Sequence, residues 1–198
     1  MASFSTVKAD SGSGKFLSIS KDGVYSIRII RDQVEELNKF WLTVDGKLRS
    51  MNEDKNGRLA AVARSGGCEK SSRKFATLAY SEDDDRVGIL EIGPQILGQM
   101  QAVMSNPKLK VNDITKVTFT ITVRATSKPK YSVQLQEKHT TAFDASAYDV
   151  PDFAAHCEPT TDAQLDMIGV PQATAPANPA PAAAKKAKST AEEPDFSF

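Results

Sequence analysis

Cysteine and histidine are scarce in this chain: two of each, Cys68, Cys157, His139 and His156, occur in 198 residues. No CxxC pair is present and the histidines add no ligand spacing, which argues against a structural zinc site. Two thiols so far apart also argue against a secreted disulfide scaffold. No run reaches the ~20 apolar residues of a membrane-spanning helix. The first residues lack the charged and then apolar layout of a signal peptide. The expectation is a soluble, intracellular protein. Hydrolase signatures are missing too: there is no Gly-x-Ser-x-Gly, no HExxH and no carboxylate pair with a positioned histidine. Gly12-Ser13-Gly14-Lys15 imitates a phosphate loop, but Phe16 follows where Ser or Thr is needed and no strand precedes it. No metal or other cofactor is expected.

What is present is segregated charge. The formal net charge is zero, yet residues 1–138 hold 22 Lys and Arg against 16 Asp and Glu, and residues 139–198 hold 3 against 9. A basic body with an acidic tail suits a protein that meets polyanions. From Val170 to Ser189 Pro and Ala dominate, a composition that cannot bury enough apolar surface to offset its ordering entropy. After it come Glu192-Glu193-Pro194-Asp195-Phe196-Ser197-Phe198. Exposed phenylalanines among acids, at the end of such a spacer, read as a tip that a partner protein buries.

The body alternates like β structure. Tyr25, Ile27 and Ile29 face one way, and Ser26, Arg28 and Ile30 the other. Asp45-Gly46 between Phe40–Val44 and Lys47–Met51 predicts a tight hairpin. A second hairpin is expected from Phe75–Tyr80 and Val87–Ile92 around Glu82–Asp85. Pro94 opens one convincing helix, with Ile96, Leu97, Met100, Val103 and Met104 on one stripe. Val117–Val123 and Tyr131–Leu135 alternate strictly. Between Asn52 and Arg73 the pattern weakens into basic loops, with a short helical turn at most over Leu59–Val62. The expected fold is mainly β: an OB-fold-like small Greek-key barrel with one helix and a disordered C-terminal tail. The expected segments are a flexible 1–14, a barrel over 15–143, an acidic irregular 144–170, a linker over 171–190 and the tip at 191–198.

Basic and aromatic residues are interleaved in this body. Residues 39–74 carry nine cations against four acids, and rings stand beside them: Trp41 near Lys39, Phe75 after Arg73 and Lys74, Tyr131 after Lys128 and Lys130. Single-stranded nucleic acid needs that pairing, since cations follow the backbone and flat rings stack on bases. A duplex reader needs a basic helix in a groove, whereas residues 94–104 contain no Lys or Arg. The candidate nucleic-acid-binding residues are Arg28, Lys39, Trp41, Lys47, Arg49, Arg64, Lys70, Arg73, Lys74, Phe75, Lys128, Lys130 and Tyr131. Alternatives are an RNA-binding module of the same fold, a metal-dependent nuclease using Asp83–Asp85, or an adaptor acting only through its tail. Adjacent acids in one loop are more often a solvated turn than a metal site.

The order Tyr25–Ile30, a basic loop, Arg73-Lys74-Phe75 opening a strand, an acidic hairpin and the helix 94–104 resembles the single-stranded DNA-binding proteins of tailed bacteriophages. It is most similar to the OB-fold helix-destabilising type of the T-even phages. The resemblance implies a DNA cleft lined by Arg73, Lys74 and Phe75 and by Tyr131. It also implies recruitment of replication or recombination proteins (polymerase, helicase, recombinase) by Asp195, Phe196 and Phe198, and action in the cytoplasm of an infected bacterial host. Two features depart from that family. Its Cys/His zinc module is represented here by Cys68 alone, so no zinc is implied, and residues 1–14 hold only Lys8 in place of a basic arm.

Overall fold

The computed structural model describes residues 15–170. The expected flexible N-terminus, the Pro/Ala linker and the Phe-ended tip lie outside the described residues. One sheet of eight strands forms a barrel-like body. The strands are β1 (Phe16–Leu17), β2 (Gly23–Ile29), β3 (Glu35–Val44), β4 (Lys47–Asn52), β5 (Lys70–Ser81), β6 (Arg86–Ile92), β7 (Val117–Val123) and β8 (Tyr131–Lys138). The helices are α1 (Arg58–Arg64), α2 (Pro94–Met104), α3 (Phe153–Cys157) and α4 (Asp162–Met167).

β5 organises the sheet. Its first half pairs antiparallel with β3, its last residues with β2, and its other edge with β6. β2 continues to β7 and β7 to β8, while the short β1 lies parallel to β6. Gly88 permits that last contact, because a Cβ there would meet Leu17 Cγ at 2.9 Å. β6 and β8 are not neighbours in the sheet. The gap between them is bridged by α2: Gln99 donates to Tyr131 O at 3.1 Å and accepts from Val133 N at 2.8 Å. The helix thereby satisfies part of an open strand edge. Its buried Ile96 and Met100 join Ile27, Ile29, Leu90, Phe119 and Ile121 in the barrel core.

The hairpin at Asp45-Gly46 forms as expected, with φ of 51° and 70°, values for which Asp and Gly are among the most tolerant residues. Two expectations are corrected. The weakly patterned 52–73 holds a seven-residue helix, α1, whose first amides bond to the Asp54 carboxylate (Arg58 N at 2.9 Å, Leu59 N at 2.8 Å). In the same region β5 begins at Lys70 rather than Phe75, because β3 pairs with this Lys- and Ser-rich stretch.

The acidic segment 144–170 is ordered into α3 and α4 and docks on the sheet. Phe153 packs with Leu37, Ala76, Leu78 and Ile89 on the sheet's outer face. Leu165 packs with Phe40, Leu42, Val44 and Leu59. Buried Arg58 binds Asp162 at 3.2 Å, Asp166 at 2.8 Å and Val170 O at 2.5 Å, tying α4 to α1. Thr161 and Gln164 form a capping box at the start of α4. Among the described residues no helix is long and apolar enough to cross a membrane.

Phe153→Ala should therefore cost about 3–5 kcal/mol. Urea denaturation would show the midpoint falling with little change in slope. An unchanged midpoint would mean that 144–170 is not part of the folded unit.

Candidate nucleic-acid interface

Side chains alternate across a strand, and the register sorts the predicted residues onto two sides. Trp41 pairs with Lys70, Lys39 with Ser72 and Leu37 with Lys74. Lys70 and Lys74 therefore share a side with Trp41. Lys70 Nζ stands 5.4 Å from the centre of the Trp41 ring. Arg73 and Phe75 occupy the other side, with the Arg73 guanidinium 5.1 Å from the Phe75 ring centre and an ion pair to Glu36 at 2.5 Å. The expected Arg73-Lys74-Phe75 cluster is thus divided by the pleat, and Phe75 also packs against the barrel core.

Between the start of β8 and the start of α2 lies a cavity of about 240 Å³, lined by Phe16, Lys74, Glu91, Gly93 and Tyr131 among others. Lys130 lies over the Tyr131 ring at 5.2 Å. A second cavity of about 610 Å³ opens beside β4, with Lys39, Arg49, Ser50, Met51 and Asn52 on one side and residues 155–168 on the other. Phe16 lines both cavities. Together they run as a discontinuous groove from Tyr131 past Phe16 to β4: Lys74, Lys39 and Ser50 line it from the side of the sheet that carries Trp41 and Lys70, and Arg49 and Met51 from the other. Ser50, a lining residue, is the register partner of Trp41.

At the centre of this groove three ionisable groups meet. Lys39 forms an ion pair with Glu91, and the His156 ring contacts the same carboxylate at 2.8 Å. Phe16 packs edge-on against His156, ring centres 5.0 Å apart. Burial raises the Glu91 pKa, but hydrogen bonds from His156 and Lys39 outweigh it and leave the carboxyl below its ordinary 4.5.

Two predicted cations are already engaged by other groups of the protein: Lys39, which lines the second cavity, and Arg28. Lys39 is 5% exposed, and its ammonium neutralises Glu91. Arg28 stands elsewhere on the barrel, donating to Thr115 O at 3.3 Å and Thr141 O at 2.5 Å and stacking on Phe143 at 5.5 Å. Desolvation lowers its pKa below the ordinary guanidinium value despite the acids Glu82 and Glu137 nearby. Its donors hold the chain after β8 against the body.

Lys47 and Arg49 are exposed on β4, on the same side as Val44 and Leu42. Arg64 is exposed at the end of α1, and Lys128 is exposed in the loop before β8. Neither Arg64 nor Lys128 lines either cavity. The acids of the 82–85 turn hold local structure: Asp83 accepts from Ser26 N, and Asp85 accepts from the hydroxyls of Tyr80 and Tyr148.

Sequence reasoning missed Phe16, His156 and Met51. Phe16 follows Lys15, the same cation–aromatic doublet that marked Phe75 and Tyr131, and was legible on that signal. His156 and Met51 carried none, because only the docking of 144–170 brings His156 beside β4. No protein-family model matches this chain, and no curated protein does.

The depressed Glu91 carboxyl ties the protein's stability to pH. A group whose native pKa lies below its unfolded value contributes stability that is complete above about 4.5 and lost as pH falls through the native value. Urea midpoints followed from neutral pH into the acid range should fall less steeply for Glu91→Gln than for wild type. At neutral pH that variant should already be weaker by about 3–5 kcal/mol, because Lys39 is left buried without its counter-charge.

Proposed function

We propose that this protein binds single-stranded DNA with little sequence preference, as a non-enzymatic coat in replication, recombination or repair. The observation that carries the reading is the groove lined by Phe16, Lys74 and Tyr131, whose Lys74 lies on the same side of β5 as Lys70, the cation beside the Trp41 ring. Rings with cations beside them suit unpaired bases on a charged backbone: stacking is indifferent to sequence, and lysines neutralise phosphates. α2 carries no Lys or Arg, unlike a helix that reads a duplex groove. The likeness in order and pattern to phage single-strand binders supports the same reading. On this proposal Asp195, Phe196 and Phe198 recruit polymerase, helicase or recombinase, and the protein works inside an infected bacterial host.

Anisotropy titration with oligo-dT, a duplex and an RNA of equal length tests it. The expected result is tight, salt-sensitive binding to oligo-dT and much weaker duplex binding. Trp41→Ala and Tyr131→Ala should each cost about 1–3 kcal/mol of affinity. Lys74→Ala should reduce the salt slope by about 0.7. Removing residues 191–198 should leave oligo-dT binding intact. If neither the full chain nor the chain lacking 191–198 binds, the proposal gives way to an adaptor. Preference for the RNA would redirect it to RNA.

A further inference from the structure

The groove lies near the start of β8. At the end of β8, eight residues and roughly 25 Å away, a second depression of about 250 Å³ is lined by Lys110, Asn112, Asp113, Lys116, Lys138 and His139, with apolar walls from Val111 and Val117. Its chemistry is cationic. Lys116 Nζ is 3.8 Å from Asp113, a long ion pair. That carboxylate also accepts from Thr115 N at 2.9 Å and Thr115 Oγ1 at 2.6 Å. Lys138 donates to Leu109 O, and an ammonium has three donors. The His139 ring contacts Thr118 Oγ1 at 2.8 Å and stands 3.9 Å from Glu137.

Lys110 lines the depression from an uncommon backbone conformation. Its φ is 49°, in the left-handed region. A non-glycine residue there costs of order 1 kcal/mol, which Gly or Asn would reduce. The position instead keeps a long cation over the depression. The outer side of β7 and β8 shows Thr120, Thr122, Ser132, Gln134 and Gln136, with hydroxyls and amides, and Glu137 at its far end.

We infer that the depression at the end of β8 is a second phosphate-binding subsite, in which Lys110 and Lys116 hold the backbone of a single strand whose bases stack in the groove at the strand's other end. This rests on the single-strand reading above and extends it: the strand runs along β8, and binding has a length threshold. A short oligomer fills only the groove, while a longer one reaches both sites.

The test is the double variant Lys110→Gln with Lys116→Gln, compared with wild type and with a control losing the same charge at exposed Lys21 and Lys55. Each is titrated with oligo-dT of about 5 and about 16 nucleotides, the span of site sizes for such folds. The expected result is several-fold weaker binding of the long oligomer, a salt slope shallower by about 1.4, and short-oligomer binding unchanged. The control should lose little with either. Equal loss for both lengths, or a loss no larger than the control's, overturns the subsite and leaves the groove standing. If wild type binds neither oligomer, both the subsite and the single-strand reading fall.

Discussion

Everything in this protein hangs on the divided pairing of β5. One edge of this strand serves β3 and then β2, and the other serves β6. Divided pairing lets one continuous sheet be both the wall of a barrel and a platform that projects beyond it. On the barrel half, Ala79 turns inward to a dry core with Ile29 and Leu90. On the projecting half, the same two-residue alternation puts Lys70 and Lys74 on Trp41's side and Arg73 and Phe75 on the other. A slip of one residue would exchange the two sets, so the composition of the groove follows from the register of one strand.

The platform is stable because the C-terminal segment covers it. Without α3 and α4, the apolar residues Leu37, Leu78 and Ile89 on one side and Phe40, Leu42 and Val44 on the other would lie open to water. Covering them brings charge into a half-dry setting, and each buried charge found there is answered: Lys39 by Glu91, and Arg58 by Asp162 and Asp166. Such pairs add little net stability but are costly to break singly, so they fix how the segment sits. The Glu91–His156 contact then serves two ends, anchoring α3 and forming the floor of the groove beside Phe16.

Much was legible in advance. The Asp45-Gly46 hairpin, the strand 117–123, the first five residues of β8 and the helix at Pro94 announced themselves, because turn chemistry and hydrophobic period are local properties. The neighbouring of rings and cations at Trp41, Phe75 and Tyr131 is also a local pattern. Less legible was whether a cation would remain at the surface. Lys39 and Lys74 look alike in the sequence and each lines a cavity, yet Lys39 is buried and paired with a carboxylate from β6. Arg28 reads as an exposed strand cation until Thr141, more than a hundred residues later, offers its carbonyl.

The amino-acid sequence by itself determined the β class, the hairpins, the central helix, the basic–aromatic character of the body and the acidic, phenylalanine-ended tip. Each follows from neighbours within a few residues, the range over which propensity, turn geometry and composition act. Tertiary structure alone decided that β5 starts at Lys70, that 144–170 folds onto the sheet, that Arg73 and Lys74 part company, and that Lys39 meets Glu91 and Arg28 meets Thr141. Those outcomes depend on strand register and on contacts between residues distant in the chain. Single-residue alternation turns such long-range choices into opposite faces, which no local pattern encodes.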